Sequence, residues 1–85
     1  MWTVVITPQA ALQIDELPRV IRVRIYKIVE RLQHWPDVSG ARALTGNLAG
    51  RYRMRTGDYR VQFYLTADSE IVIERVGHRD GFYED

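Results

Sequence analysis

The sequence predicts a small α+β domain, ordered as one strand, two helices, three strands and a short tail. Three observations carry this reading. A β-branched N-terminal segment runs directly into a Thr-Pro helix start. An apolar set then recurs at helical spacing through residues 18–35. From residue 51 onward the apolar period drops to two, around a Gly-Asp turn. With 85 residues there is room for one core, so residues 1–85 are expected to form a single domain.

Residues 2–7 (WTVVIT) are β-branched and aromatic and read as the first strand. Thr7 and Pro8 supply an N-cap and a proline at the first helical position. The helix that follows, through QAALQIDEL, carries Ala10, Ile14 and Leu17 on one face. Pro18 breaks it and opens the next helix. There Ile21, Ile25, Ile28, Val29 and Leu32 form an apolar stripe, opposite Arg19, Arg22, Lys27, Glu30 and Arg31. This long helix is expected to run to about Trp35, where Trp35-Pro36 ends it, and the two helices make a hairpin. Residues 36–50 hold Pro36, Gly40, Gly46, Asn47 and Gly50 and read as a connecting loop.

Residues 51–65 (RYRMRTGDYRVQFYL) read as a hairpin with a two-residue Gly57-Asp58 turn. That turn fixes the register. Thr56 faces Tyr59, Arg55 faces Arg60, Met54 faces Val61, Arg53 faces Gln62, Tyr52 faces Phe63 and Arg51 faces Tyr64. Met54, Val61, Tyr52 and Phe63 then share the face that receives the helices. Arg51, Arg53, Arg55 and Arg60 gather with Tyr64 on the other. Residues 70–76 (EIVIERV) form the last strand, which Gly77 is expected to end before the tail HRDGFYED.

Composition excludes several function classes. With no cysteine there is no disulfide scaffold, thiolate metal site or cysteine nucleophile. His34 and His78 are the only histidines, so neither a metal nor another cofactor is expected. No apolar run approaches a membrane span, and no signal peptide is visible, so the expected compartment is the cytoplasm. The formal net charge is only +1, but it is unevenly spread. Residues 19–60 carry ten of the twelve basic residues against Glu30, Asp37 and Asp58, a local +7. Residues 1–18 carry −2 and residues 61–85 carry −4. Lys27 is the only lysine, and arginine forks suit bidentate contact with phosphate. Four arginines on one sheet face repel one another unless an anion joins them. An anion-binding face is therefore expected.

The layout and two segments resemble the RelE/ParE superfamily of bacterial type II toxins. LAGRYRMRTGDYRVQFYL (48–65) is similar to that family's arginine-rich hairpin, and VGHRDGFYED (76–85) to its closing Gly-(His/Lys)-Arg…Tyr tail. PQAALQIDELP and ALTGNLAG match the family's first helix and the loop into its second strand. The resemblance covers essentially the whole chain. It implies a twisted, mainly antiparallel sheet with a helical hairpin on one face. For function it implies a toxin held inactive by a cognate antitoxin in a hetero-oligomeric complex. The antitoxin's disordered segment is expected to fold beside or across the arginine face, with acidic residues toward it.

RelE-like members cut messenger RNA, usually on the ribosome, and this branch is favoured. Metal-free cleavage needs the 2′-OH deprotonated, the pentavalent phosphate stabilised and the leaving oxygen protonated. The resemblance gives phosphate stabilisation to Arg53 and Arg60, backbone binding to Arg51 and Arg55, and further roles to Arg79 and Tyr83 of the tail. Tyr64 joins the RNA-binding face. Several nucleases of the family have lysines where this chain has Arg51 and Arg53, and arginine cannot serve as a base. Proton transfer is therefore expected from His78 or Tyr83. Glu74 and Asp80 are candidate partners for His78. Arg75 is expected to pair with Glu74 or Asp58, and Trp2 and Trp35 to pack at the core. The alternatives are a ParE-like inhibitor of DNA gyrase with no chemistry of its own, and a degenerate member that survives as an antitoxin partner.

Overall fold

The computed structural model describes residues 1–82. Its elements are β1 (Thr3–Ile6), α1 (Pro8–Asp15), α2 (Arg19–Leu32), β2 (Arg42–Ala43), β3 (Arg51–Thr56), β4 (Tyr59–Leu65) and β5 (Glu70–His78). Short 3-10 turns occupy Gly46–Leu48 and Arg79–Gly81. The five strands form one sheet in the order β1-β5-β4-β3-β2. β1 pairs parallel to β5 and every other pair is antiparallel. The helical connection from β1 returns to the sheet as an edge crossover, and the helices pack on one face. This is the expected α+β architecture.

Local chemistry accounts for the helix boundaries. Thr7 is extended at the N-cap, and its Oγ1 accepts the Ala10 backbone N–H at 3.1 Å, with Pro8 starting α1. At the other end, Arg22 of α2 donates to the Leu17 carbonyl at 3.0 Å and so serves the carbonyl-rich end of α1. The break at Pro18 thus ties the two helices together. α2 ends at Leu32, short of Trp35, and a run of turns follows.

The core lies between the hairpin of helices and one sheet face. Ala10, Ile14, Ile25 and Leu32 are fully buried against Val61, Phe63, Ile71 and Ile73. Trp35, Tyr52 and Phe63 extend it as an aromatic cluster. Trp35 meets both other rings edge-on at 5.0 and 5.7 Å, while Tyr52 stacks on Phe63. Trp2 and Trp35 are half-buried at the core margin.

Two sequence expectations change here. The segment 36–50 is not all loop, because Arg42 and Ala43 pair with Arg53 and Tyr52 as a fifth, edge strand. Two residues are too few to show an alternating pattern. Gly77 does not end the last strand, which continues to His78. The hairpin register matches all six expected pairs, with Gly57 at φ 57° in the turn. The β4–β5 ladder, however, is irregular. Gln62 lies opposite Arg75 and Phe63 opposite Ile73, which leaves Glu74 as an extra residue. Its consequence is a change of face. Ile71 and Ile73 point to the core before the bulge, and Val76 points there after it. Both Glu74 and Arg75 therefore join the face away from the helices.

Candidate functional site

The sheet face away from the helices is built by strand alternation. β3 contributes Arg51, Arg53 and Arg55, and β4 contributes Arg60, Gln62 and Tyr64. The edge strand adds Arg42 opposite Arg53, and the bulge adds Glu74 and Arg75. The expected arginine face therefore exists, and it is larger than the hairpin alone suggests. Sequence reasoning placed Gln62 opposite Arg53 but missed Arg42 and the placement of Glu74 and Arg75. The spacing Ile71, Ile73, Val76, two and then three, was the signal for the bulge.

The arginines divide into two groups. Arg51 is drawn inward to Glu74, with Nε 2.9 Å from Oε2, and lies over the Tyr64 ring at 5.3 Å. Arg53 is 93% buried, at 7% exposure, and donates to Gln62 Oε1 at 3.0 Å. Like-charge repulsion on this side is thus offset by a carboxylate and a neutral amide. Toward the other side, Arg42 and Arg55 are exposed and meet no carboxylate among the described residues. Among the described residues Arg60 bonds only backbone, to the carbonyls of Gly57 at 3.0 Å and Tyr59 at 3.2 Å. A cleft of about 720 Å³ opens between residues 40–45 and the hairpin, and Arg42, Arg53, Arg55 and Arg60 line it. Arg42 and Arg55, which meet no carboxylate among the described residues, converge with Arg60 on this cleft and suit an anion with several oxygens.

The tail crosses the same face. Phe82 is 3% exposed and lies beneath two guanidinium groups, 4.1 Å from Arg75 and 5.3 Å from Arg53. Gly77 makes this seat possible. A Cβ there would stand 3.3 Å from the Phe82 ring. Arg75 donates to the Gly81 carbonyl, so it holds the tail rather than pairing with Glu74 or Asp58 as expected. Arg79 is fixed at the hairpin tip, where its N–H donates to the Asp58 carbonyl at 2.7 Å and its Nε lies 3.9 Å from Asp58 Oδ1. Tyr83 falls outside the described residues.

His78 is placed apart from the arginines. Gly77 pairs with Arg60 on the arginine face, so alternation turns His78 with its partner Tyr59 to the opposite face. The two rings meet edge-on at 5.3 Å. His78 Nδ1 accepts the Asp80 N–H at 3.1 Å and also lies 3.4 Å from Asp80 Oδ2. One nitrogen cannot accept from the first and donate to the second at once. The shorter contact, which caps the 3-10 turn, is the better geometry. Asp80 is therefore a neighbour of His78, whereas Glu74 is engaged elsewhere.

No group of three or more His, Asp or Glu side chains among the described residues could hold a metal ion. No helix among the described residues is long and apolar enough to cross a membrane.

Comparison with known proteins gives the family. The RelBE2 toxin–antitoxin complex from Mycobacterium tuberculosis contains a similar chain, with TM-score 0.79 and 26% identity. The match covers 92% of this chain and 98% of that one. The RelE–RelB complex from Pyrococcus horikoshii matches with TM-score 0.74, 27% identity and coverage of 92% and 94%. The RelB–RelE complex from Methanococcus jannaschii matches with TM-score 0.75, 25% identity and coverage of 93% and 94%. No curated protein sequence matches this chain. The model of the ParE toxin of the type II toxin–antitoxin system, parDE, matches residues 4–81. The chain is a member of this toxin family, with a RelE-like fold.

Proposed function

We propose that the protein is a metal-independent endoribonuclease that cuts messenger RNA on the ribosome and is neutralised by a cognate antitoxin. The observation that carries this reading is the cleft where Arg42, Arg53, Arg55 and Arg60 converge, with no carboxylate against Arg42 or Arg55 among the described residues. In such a cleft the phosphodiester takes the place of the missing counter-charge. As the 2′-oxygen attacks, charge grows on the phosphate oxygens, and fixed guanidinium groups stabilise it more in the transition state than in the ground state. Arg53 and Arg60 take this part. Arg42, Arg55 and Arg51 hold the flanking backbone, and Arg79, held against Asp58 at the hairpin tip, is the tail arginine that the family resemblance assigns to the site. Tyr64 offers a ring at the edge of the face for an unpaired base.

With His78 turned to the opposite face, Tyr83 is the tail residue assigned to proton transfer or base stacking. His78 contributes by capping the turn that carries Arg79. In this reading the ribosome presents the RNA to the cleft.

The antitoxin partner is drawn from the relatives, whose complexes with RelB share this fold. Two surfaces suit it. One is the arginine face. The other is the outer stripe of α2, where Val20, Val23 and Tyr26 are exposed beside Arg24 and Lys27. Apolar residues flanked by bases fit an acidic amphipathic segment.

A second reading rests on the family model, which is that of the ParE toxins. In that reading the same basic face binds DNA gyrase and cuts nothing. Purified protein added to ribosomes programmed with a defined message separates the two. Cleavage within the decoded codon, lost in R60A, supports the nuclease. An intact message, with gyrase-dependent DNA breaks in a parallel assay, supports the second reading.

A further inference from the structure

Arg53 is the arginine that the fold holds most tightly, and its holder is itself held. Glu74 Oε2 accepts two hydrogen bonds, from Arg51 Nε at 2.9 Å and from Gln62 Nε2 at 3.0 Å. Gln62 Oε1 in turn accepts from a terminal nitrogen of Arg53 at 3.0 Å. Gln62 and Arg53 are both buried, at 5% and 7% exposure. Chemistry dictates the direction of this chain. An ionised carboxylate can only accept, so Gln62 must turn its NH2 toward Glu74. That leaves its oxygen, and not its NH2, facing the guanidinium. A Gln62 amide facing the other way would set donor against donor at Arg53 and acceptor against acceptor at Glu74. The Phe82 ring lies 5.3 Å from the Arg53 guanidinium carbon and covers one side of it.

The arrangement exists because of the bulge. With regular pairing beyond Ile73, Glu74 would still reach this face, but Arg75 would turn to the core and Phe82 would lose the guanidinium it rests on. The irregularity therefore assembles both the relay and its cover.

The geometry points to Glu74 and Gln62 as positioning residues: Glu74 sets the Gln62 amide, and the amide aims Arg53 into the cleft. This inference rests on the reading of the cleft as a phosphate site, and it adds how the deepest guanidinium is aimed. Neither residue needs to touch the RNA. Their effect is preorganisation, which matters because a guanidinium displaced by about 1 Å loses much of its value in a transition state.

The test reads Arg53 directly. In full-length protein labelled with 15N-arginine, the Arg53 Nε–Hε resonance is identified by its loss in R53K. It is then followed in E74A, E74Q, Q62L and the E74A/Q62L double variant. E74A and Q62L should each shift and broaden the signal, and the double variant should add nothing further. E74Q keeps an oxygen facing Gln62 and should stay near wild type. Q62L should leave the Arg51 signal in place, whereas E74A should move it. An Arg53 signal untouched by E74A or Q62L overturns the proposal, and so do strictly additive effects. Should E74A fail to fold, Q62L and E74Q decide: the proposal requires the first to disturb Arg53 and the second to spare it.

A second measurement separates this proposal from the reading beneath it. Binding of a single-stranded 2′-O-methyl RNA, which cannot be cut, should weaken about as much in Q62L as in R53A, with no further loss in the double variant. If the wild type binds no RNA while the Arg53 coupling stands, the phosphate-site reading fails and the positioning role survives. If RNA binds and Q62L leaves it unchanged, the positioning role fails.

Discussion

Gln13 of α1 meets the backbone N–H of Val76 with its side-chain oxygen at 2.8 Å. Val76 directly follows Glu74 and Arg75, where the β4–β5 ladder is irregular. A helix side chain thus supports the strand at the point where regular pairing lapses. Sixty-three residues separate the two partners in sequence, so the bond also pins α1 to the far end of the chain. The bulge it supports decides which residues enter the arginine face.

Replacing Gln13 with Ala or Leu should leave this part-buried donor poorly satisfied. The expected loss is about 1–3 kcal/mol of stability. Urea denaturation measures the loss, and hydrogen exchange at the Val76 amide should speed up selectively. An unchanged midpoint with unchanged exchange would show that the strand holds the bulge without the helix.

Gly77→Ala tests the seat of the tail. The added Cβ would stand 3.3 Å from the Phe82 ring, closer than ordinary contact, so the ring must yield or lift away. Phe82 should become more mobile and Arg75 more exposed, with little change in overall stability. Ring proton shifts of Phe82 report this, and a spectrum identical to wild type would contradict the packing described.

Arg42→Ala and Arg55→Ala should each weaken RNA binding without loss of fold. Each removed phosphate contact on a single strand should flatten the slope of log K against log salt by about 0.7. Arg31→Ala is a control on α2, where the side chain donates to the Ser39 carbonyl at 3.0 Å and lies outside the cleft. Equal effects from all three would mean that binding follows overall charge and not the cleft.

His78→Ala should keep most of the cleavage rate, because its ring lies with Tyr59 across the sheet from the arginines. The loss should appear instead as a less ordered Arg79 turn, seen as faster amide exchange at Asp80. A large fall in single-turnover rate with an unaltered turn would place the imidazole in the chemistry after all.

How much of this was legible in the sequence depended on which pattern carried it. The Thr7-Pro8 start and the Gly57-Asp58 turn are local signals, and both appear in the structure where the residues put them. The turn fixed the whole hairpin register, and with it the clustering of Arg51, Arg53, Arg55 and Arg60. Arg42 escaped notice because its strand has two residues and exists only through pairing with β3. His78 was misleading for a different reason. It was expected in a tail beyond Gly77, but the strand continues to His78, and the single extra residue at the bulge turns it to the face opposite the arginines. The partners of Glu74 and Arg75 were hidden by the same step. The spacing of Ile71, Ile73 and Val76 marks the irregularity, but the partners that Glu74 and Arg75 then meet are tertiary and lie outside short-range patterning.

The central claim is that the arginine cleft cuts messenger RNA. The most direct measurement is induction of this chain alone in bacteria, with genome-wide mapping of message 5′ ends and a parallel assay for gyrase-linked DNA breaks. Cleavage at the cleft should give new 5′ ends at fixed codon positions within translated regions, abolished in R60A and strongly reduced in R42A. Intact messages accompanied by gyrase-linked breaks would contradict it.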